Sequence, residues 1–423
     1  MNIYVVQPGD TIYSIAQAYG VDPQLLIRDN DIVPERLVIG QTLVIQNPTQ
    51  TYVVQPGDSL FSIAARYGMT TKQLLRNNYF LHGSQTIVPG TTLVISYAGE
   101  KLGPMSVNGY AYEFVNLYTL QGILPYATYL SPFTYGFTED GSLVLLEDGA
   151  LLQEARQYAV VPWMHLSTLT EYGYFSNALA SSILRNRDLW PVLLSNILAV
   201  MEEKGYQGLD IDFEYVFPEE NILYVEFVAY LRENLNGRGY PVIVALVPKT
   251  SRDQPGAFYE GHLYRELGEA ADAVLLMTYE WGYTYSPPMA VAPLPSVRRV
   301  LDYAVTEIPP EKIFMGMPNY GYDWTLPYIK GESRAKVIGN VEAVEIAFRY
   351  GAEISYDSYA QTPYFQYTDN EGNRHEVWFE DARSIDAKLR TAFSYGFQGL
   401  GYWNFMRPFP QNFLLLNALF DIR

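Results

Sequence analysis

The pattern of apolar and polar residues predicts eight strands that alternate with helices from about residue 104 onward. Apolar runs of strand length are separated by longer segments with helical spacing, which is typical of a parallel sheet or barrel. The predicted strands are residues 106–113, 128–137, 159–166, 208–214, 242–247, 273–280, 313–320 and 399–405. Eight such units predict an α/β fold, a (β/α)8 TIM barrel, with its chemistry at the carboxyl ends of the strands.

One segment between the seventh and eighth predicted strands interrupts this alternation. A helical pattern at residues 341–350 precedes a tyrosine-rich stretch, in which residues 369–373 (Asp-Asn-Glu-Gly-Asn) predict the turn of a β-hairpin. We therefore expect an α+β insertion at about residues 325–380, within a barrel domain that spans 104–423. Such an insertion would wall one side of a cleft.

Two copies of one sequence module precede the predicted barrel. The run Tyr-Val-Val-Gln-Pro-Gly-Asp at residues 4–10 recurs at 52–58, and each copy continues with the pattern of a turn, two helices and a closing strand. The repeat predicts small βααβ modules at residues 2–46 and 50–96. Because residues 46–50 are short and polar, we expect the two copies to orient semi-independently.

The repeat resembles the LysM module, which binds glycans that contain N-acetylglucosamine, such as peptidoglycan and chitin. The resemblance covers both copies and implies that peptidoglycan-type glycan chains are the partner. The alternative is a pair of modules that serve only as spacers. Binding is favoured over spacing, because tandem small modules gain avidity for a repetitive polymer.

Composition and charge exclude several function classes. The net charge of −18 argues against a nucleic-acid partner, since no basic surface is available to release counterions from phosphates. No apolar run is long enough to cross a bilayer, so we expect no membrane partner, and no secretory signal precedes the first module. With no cysteine and four histidines, we expect no metal and no cofactor. The 37 tyrosines weakly favour sugar binding.

Three acidic residues occupy alternate positions in the fourth predicted strand. Because side chains alternate between the faces of a strand, Asp210, Asp212 and Glu214 share one face. Crowded carboxylates raise one another's pKa, and burial adds to this cost, so a purely structural protein would gain from replacing them. A solvated edge strand is the alternative, but the flanking helical patterns favour a buried strand and a catalytic role.

Other predicted strands also end in polar or aromatic residues. Any one of these residues could serve core packing, with about even odds. Together they predict an aromatic-lined acidic groove of the kind that binds a sugar chain. The predicted substrate-binding residues are Tyr135, Glu280, Trp281, Tyr320 and Trp403.

The fourth and sixth strands resemble the signatures of family 18 glycoside hydrolases. The family pattern Asp-x-x-Asp-x-Asp-x-Glu is present at residues 207–214, with Gln207 in place of the first Asp. The pattern Met-x-Tyr-Asp is present at residues 277–280, with Glu280 in place of Asp. We expect Gln207 to alter the charge at the inner end of the strand without abolishing activity, and the longer Glu280 side chain changes its contact with substrate.

The family resemblance implies a retaining, substrate-assisted mechanism, in which the 2-acetamido oxygen of the sugar attacks the anomeric carbon. It implies that Glu214 is the general acid and that Asp212 binds the acetamido N–H. Asp210 would share charge with Asp212, and Tyr279 would hold the acetamido oxygen. Trp403 would form the floor beneath the distorted sugar ring.

Two LysM-like modules precede the barrel, which carries Pro-Lys-Thr-Ser at residues 248–251, Pro-Pro-Met-Ala at 287–290 and His-Glu-Val-Trp-Phe-Glu-Asp at 375–381. With these features the chain resembles, along nearly its whole length, the spore cortex-lytic N-acetylglucosaminidases of bacilli. This resemblance implies cleavage after N-acetylglucosamine in cortex peptidoglycan or its fragments during germination, and a location in the outer layers of the spore. A chitinase is one alternative, because the barrel signatures do not separate chitin from peptidoglycan. A non-catalytic, lectin-like protein is the other, although the presence of Glu214 favours catalysis. The oligomeric state stays open.

Overall fold

Each sequence repeat folds into a βααβ module in the computed structural model, which describes residues 1–33 and 36–423. The first module has antiparallel strands Asn2–Val5 and Thr42–Ile45 and helices Ile12–Tyr19 and Pro23–Asn30. The second has strands Pro48–Val53 and Thr92–Tyr97, helices Leu60–Arg66 and Thr71–Arg76, and a 3₁₀ turn at Tyr79–Leu81.

The first helix of each module begins at the same kind of cap. Thr11 Oγ1 accepts a hydrogen bond from the Ser14 backbone N–H at 3.0 Å, and Ser14 Oγ accepts one from the Thr11 backbone N–H at 3.0 Å. Ser59 and Ser62 repeat this exchange at 3.0 and 2.9 Å. The cap satisfies backbone donors that a helix start leaves free, so it ends the Pro-Gly turn and begins the helix.

The two modules are docked to each other, so the expectation of semi-independent orientation was wrong. Tyr97 Oη in the second module donates a 3.1 Å hydrogen bond to Asp29 Oδ2 in the first. The Arg28 guanidinium lies 4.0 Å from the centroid of the Phe80 ring. Part of the predicted linker is also structured, because the strand of the second module already begins at Pro48.

Both modules are also docked to the rest of the chain. The buried Arg76 donates from Nε to the Pro125 carbonyl at 2.6 Å and from a terminal nitrogen to the Ile422 carbonyl at 3.0 Å. In the first module, the Ile39 carbonyl accepts from the Ile354 backbone N–H at 2.9 Å. These bonds join the modules and the larger domain into one body.

Eight parallel strands form the predicted barrel, and every predicted strand is present. The third strand is interrupted at Trp163: Val161–Pro162 pairs with the second strand, and Met164–Ser167 pairs with the fourth. The first strand pairs with the second and the eighth. In order, the strands are Gly103–Tyr112, Tyr129–Phe133, Val161–Pro162 with Met164–Ser167, Leu209–Asp212, Val242–Leu246, Ala273–Leu276, Ile313–Pro318 and Gly399–Trp403.

Helices pack around this barrel with their apolar faces inward. In the helix Leu294–Glu307, for example, the buried residues recur at helical spacing. The α-helices are Leu117–Ile123, Gly149–Gln157, Asn177–Arg185, Trp190–Lys204, Asn221–Asn236, Tyr264–Ala270, Leu294–Glu307, Ala382–Ser394 and Pro410–Leu419. The 3₁₀ helices are Leu124–Tyr126, Arg187–Leu189, Pro218–Glu220 and Pro310–Lys312.

Three short strands lie outside the eight barrel strands. Gly136–Phe137 and Leu143–Val144 form a hairpin, and Phe420–Ile422 pairs with the first barrel strand. Across the described ranges, none of the helices combines the length and apolar character that a bilayer crossing requires.

The insertion is a five-stranded antiparallel sheet with one helix, Asn340–Tyr350. Its hairpin turns at residues 369–373 as predicted, where the Asp369 side chain accepts bonds from the Glu371 and Asn373 backbone N–H groups at 2.9 and 2.8 Å. The sheet begins at Gly321, ahead of the predicted residue 325, because the segment after the seventh barrel strand already pairs with the hairpin. In sheet order, the strands are Lys336–Ile338, Gly321–Leu326, Arg374–Trp378, Thr362–Thr368 and Ser355–Asp357.

Candidate active site

A cavity of about 300 Å³ opens at the carboxyl ends of the barrel strands. Its described lining contains three acidic residues and neither lysine nor arginine, and aromatic rings supply much of the remainder. Such a wall suits a neutral ligand with hydroxyl groups and apolar ring faces. The lining residues are Tyr110, Tyr112, Phe133, His165, Thr168, Phe175, Asp212, Glu214, Tyr215, Ala245, Leu275, Met277, Tyr279, Glu280 and Trp403.

Asp210 lies beneath this cavity, fully buried inside the barrel. Tyr110 Oη donates to Asp210 Oδ2 at 2.8 Å, and Ser131 Oγ donates to the same oxygen at 3.3 Å. The other oxygen, Oδ1, has no hydrogen-bond partner among residues 1–33 and 36–423. Burial raises the pKa of Asp210 to about 6, against the smaller lowering effects of His165 and Tyr110.

Asp212 follows on the same face of the strand, and Glu214 lies two residues after the strand ends and lines the same cavity, so the structure brings the three predicted acids together. Asp212 Oδ2 lies 3.5 Å from His165 Nε2, while its Oδ1 has no partner in the described part of the chain. Burial raises the pKa of Asp212. Burial also raises the pKa of the half-buried Glu214, and the charges of Asp212 and Glu280 raise it further. A carboxyl group that keeps its proton near neutral pH can act as a general acid.

Tyr279 and Trp403 enter the cavity from the sixth and eighth strands, as predicted from the sequence. Tyr279 is largely buried, and desolvation raises its pKa well above the ordinary value, so its hydroxyl stays protonated as a donor. The centroid of the Trp403 ring lies 4.8 Å from that of Phe133 and 5.6 Å from that of Tyr110. These rings hold the indole in place at the bottom of the groove.

Glu280 has a backbone conformation that is rare for a residue with a side chain, with φ at +67°. Its carboxylate accepts hydrogen bonds from Tyr320 Oη and, at 3.1 Å, from Tyr322 Oη. The residue is partly exposed, yet desolvation around the carboxyl group raises its pKa. The additional methylene relative to Asp therefore extends the carboxylate to two tyrosines that follow the seventh barrel strand.

Tyr320, Trp281 and Gln207 all lie outside the cavity lining. Tyr320 is buried behind Glu280 and does not line the cavity, so it acts through that carboxylate. Trp281 is half-buried, packs against the core and is likewise outside the lining. Gln207 is exposed at the amino end of its strand, where its backbone N–H donates to the Pro162 carbonyl at 2.9 Å. It therefore faces solvent at the end of the strand opposite the cleft, and its effect on the charge there stays a prediction.

Tyr135 is not a substrate-binding residue in this structure, contrary to the sequence prediction. Its side chain is fully buried and its hydroxyl donates to the Asp148 carboxylate, which also accepts from Tyr206. Lys204 Nζ lies 2.8 Å from both Tyr135 Oη and Asp148 Oδ1. The regular strand ends at Phe133, so the two-residue alternation no longer decides which way Tyr135 points, and it is Phe133 that lines the cavity.

Sequence reasoning missed several residues that support the acidic strand. These are Tyr110 and Ser131, which bond Asp210, His165, whose Nε2 lies beside Asp212, and Thr134, whose hydroxyl contacts His165 Nδ1. A signal for His165 was present, because it is one of only four histidines and falls inside the predicted third barrel strand. A polar residue in a buried strand requires a partner, and an acid on the adjacent strand is a natural one.

Comparison with known proteins gives a consistent result over the whole chain. The model of glycosyl hydrolases family 18 matches residues 170–407, and the LysM domain model matches residues 4–46 and 52–96. The cortical fragment-lytic enzyme of Bacillus subtilis (strain 168) is 41% identical over 431 residues, and that of Bacillus anthracis is 39% identical over 430. Each alignment covers 100% of this chain and 99% of the relative.

A solved structure agrees with these sequence relationships. The crystal structure of the Bacillus megaterium QM B1551 spore cortex-lytic enzyme SleL superimposes with a TM-score of 0.84 at 38% identity, and the match covers 100% of this chain and 98% of that one. The chain therefore belongs to glycosyl hydrolases family 18 and is a glycoside hydrolase with two LysM domains ahead of its barrel.

Proposed function

We propose that this enzyme cleaves the glycosidic bond that follows N-acetylglucosamine in bacterial peptidoglycan, with spore cortex or its fragments as the substrate. The observation that carries the proposal is the pair Asp212 and Glu214 in the lining of an aromatic cleft, with Asp210 buried beneath them and no basic residue in the described lining. The names of the full-length relatives point to cortex fragments, and two LysM domains suit a glycan polymer.

The proposed mechanism begins with protonated Glu214 as the general acid. Glu214 transfers its proton to the glycosidic oxygen as the bond to the anomeric carbon breaks, and the acetamido oxygen of the same sugar attacks that carbon from the opposite face. The leaving sugar departs with the transferred proton. Glu214, now a carboxylate, then takes a proton from water, whose oxygen attacks the anomeric carbon and opens the cyclic intermediate. Two displacements at one carbon retain its configuration.

The neighbouring residues would stabilise this intermediate. Asp212, whose Oδ1 has no partner among the described residues, would accept the acetamido N–H and balance the positive charge on the ring that forms. Asp210 would share charge with Asp212, so the two acids titrate as a pair. Tyr279 would hold the acetamido oxygen in attack geometry, and Trp403 would support the distorted sugar ring.

Glu280 would bind a sugar hydroxyl at the rim of the cleft, with Tyr320 holding it from behind and Trp281 beside it.

The proposed domain division is 2–46 and 50–96 for the LysM modules and 104–423 for the barrel with its insertion, which the observed strand bounds support. We further propose that the enzyme acts in the outer layers of the spore, between coat and cortex, on the strength of the spore enzymes it is similar to.

The test is digestion of purified cortex, both intact and pre-fragmented, by the wild type and by Glu214→Gln. Products are reduced with borohydride and identified by mass spectrometry. The proposal expects new N-acetylglucosamine reducing ends from the wild type and a loss of about 1000-fold or more in the variant, since the acid is removed and its volume is kept. New muramic acid ends would overturn the assigned bond. Cleavage of chitin oligosaccharides with no action on cortex would identify a chitinase instead.

A further inference from the structure

His165 is held in one orientation inside the active site. It lies on the third barrel strand, directly beside Asp210 in the strand pairing, and is almost fully buried. The centroid of its ring lies 4.7 Å from that of Phe133 and 5.3 Å from that of Tyr110. Thr134 Oγ1 lies 2.6 Å from Nδ1, and Asp212 Oδ2 lies 3.5 Å from Nε2. Both ring nitrogens therefore have an assigned neighbour.

The neighbours of its two nitrogens determine the tautomer of the His165 ring. Burial lowers the pKa of His165 to about 4, so the imidazole is neutral through the neutral range and carries one N–H. An ionised Asp212 can only accept, so the N–H belongs on Nε2 and the lone pair on Nδ1. The Thr134 hydroxyl can then donate to Nδ1 while its oxygen lies 2.9 Å from Ser167 Oγ.

We propose that His165 is a positioning residue for the hydrolytic reaction: anchored by Thr134 and two aromatic rings, it donates from Nε2 to Asp212 Oδ2 and leaves Oδ1 free for the substrate acetamido N–H. This inference rests on the role proposed above for Asp212. Asp212 Oδ1, a buried oxygen with no partner among the described residues, is then the oxygen that meets the substrate. The proposal also gives the neutral histidine a function, since a hydrogen bond donated to Asp212 stabilises the ionised form of the Asp212 carboxyl group.

Several titratable groups face Asp212, and their charges bear on any pH measurement. The groups that surround it are Asp210 on its own strand, Glu214 just after that strand, His165 on the adjacent third strand, Tyr110 on the first strand, Tyr279 after the sixth strand, and Tyr224 on the helix Asn221–Asn236. The pKa of each of these tyrosines is raised well above its ordinary value, so they stay neutral. Changes in charge near neutral pH therefore come from the acids, and loss of the His165 bond raises the pKa of Asp212.

The test uses two matched pairs of variants of the full-length enzyme. His165→Leu removes the donor, whereas His165→Gln keeps a side-chain N–H of similar reach. Thr134→Val removes the hydroxyl that bonds Nδ1, whereas Thr134→Ser keeps it. For each protein the pH dependence of kcat and KM is measured on a soluble N-acetylglucosamine oligosaccharide. Nitrogen NMR of the histidine rings gives the tautomer of His165 without any substrate, and circular dichroism confirms folding.

His165→Leu is expected to lower kcat on the order of 100-fold with little change in KM, and to move the acid limb of the kcat profile to higher pH. His165→Gln is expected to keep much of the kcat that His165→Leu loses. Thr134→Val is expected to weaken the preference of the His165 ring for the Nε2–H tautomer, and Thr134→Ser to retain that preference. The proposal is overturned if His165→Leu keeps the wild-type kcat and acid limb, or if the wild-type ring carries its proton on Nδ1 at neutral pH.

The experiment separates a wrong substrate assignment from a wrong role for His165. An enzyme that cuts oligosaccharides but not cortex would refute the cortex assignment and leave the His165 comparison intact. An enzyme that cuts neither would refute the proposed function, and the ring tautomer in wild type and Thr134→Val would still decide the positioning role.

Discussion

Tyr110, on the first barrel strand, donates a 2.8 Å hydrogen bond across the barrel interior to Asp210 on the fourth. Both side chains are buried, and this bond lowers the pKa of Asp210 less than desolvation raises it. The ionised acid is therefore held in an environment that disfavours its charge. Such a residue costs folding free energy, as expected of a group whose charge serves the reaction proposed above.

This relationship predicts a pH-dependent gain of stability in Asp210→Asn. The pKa of Asp210 is about 6 in the folded protein and close to 3.8 when unfolded. The stability associated with its protonated form is thus fully present below about pH 4 and is lost as the pH rises through about 6. We expect the variant to be more stable than wild type by about 3 kcal/mol at pH 8, and equal to it near pH 4.

Urea unfolding at several pH values measures this difference. The asparagine oxygen still accepts from Tyr110, so the hydrogen bond itself is kept. A variant that is less stable than wild type at pH 8 would show that Asp210 is stabilised in its ionised form.

A second prediction concerns the alkaline limb of the activity profile. The charges of Asp212 and Glu280 help to raise the pKa of Glu214, whose protonated form is the proposed acid. Activity should therefore hold through neutral pH and fall as Glu214 loses its proton. Glu280→Gln removes one of those charges, so the pKa of Glu214 should fall and the limb of kcat/KM should move to lower pH. A limb that stays in place or moves upward would contradict the assignment of Glu214.

Tyr135→Phe tests whether Tyr135 stabilises the fold and does not bind the sugar. The tyrosine hydroxyl donates to Asp148 in a buried cluster with Tyr206 and Lys204. We expect the variant to lose about 1.5 to 3 kcal/mol of unfolding free energy, because it removes a bond to a buried charged group, with kcat and KM unchanged. Tyr206→Phe should behave in the same way. A rise in KM without loss of stability would return Tyr135 to the substrate site.

Docking of the first LysM module can be tested at Gly40. A Cβ there would lie 1.9 Å from the Ile354 carbonyl oxygen, and φ is +84°. Gly90 occupies the equivalent position of the second module with φ at +91°, and a Cβ added there would have no heavy atom of another residue within 4 Å. Gly90→Ala thus incurs backbone strain alone, whereas Gly40→Ala incurs strain and a clash.

We expect Gly40→Ala to be less stable than Gly90→Ala by about 1 to 3 kcal/mol in chemical unfolding. Cleavage by a protease near residues 46–50 should also become faster only in Gly40→Ala. Equal stabilities of the two variants would mean that the first module is not packed against the insertion.

Much of the fold followed from sequence pattern because the barrel strands are short, apolar and separated by helices of ordinary length. The hairpin turn at Asp369 to Asn373 was predictable for a local reason, since the Asp369 side chain bonds the backbone of the turn it belongs to. Docking of the LysM modules was not predictable. It depends on Arg76 reaching two carbonyls that are distant in the chain, and no local pattern encodes such contacts.

Within the active site, too, local sequence pattern predicted some residues and not those that depend on distant contacts. Asp210 and Asp212 were predictable because strand alternation places them on one face, and Glu214, two residues after the strand ends at Asp212, still lines the cavity. Beyond a strand end the pairing no longer imposes alternation, so the outcome there differs from one residue to the next: Tyr135, two residues after Phe133, turns away from the cavity, and Trp281, which follows Glu280 with its positive φ, lies outside the lining. His165 was missed although its strand and the acidic strand next to it were both predicted, because its role depends on contacts with Thr134 and Asp212 that only the packed structure shows.

The most direct test of the central claim is to vary the nucleophile that the substrate is proposed to supply. Oligosaccharides whose donor sugar carries an N-acetyl, N-fluoroacetyl, N-difluoroacetyl or N-trifluoroacetyl group keep nearly the same shape, while each fluorine weakens the amide oxygen as a nucleophile. If the acetamido oxygen attacks the anomeric carbon, with Asp212 and Tyr279 holding it, kcat should fall steeply along the series. Rates that stay level across the four substrates would show that a protein carboxylate or water attacks instead, and would contradict the mechanism.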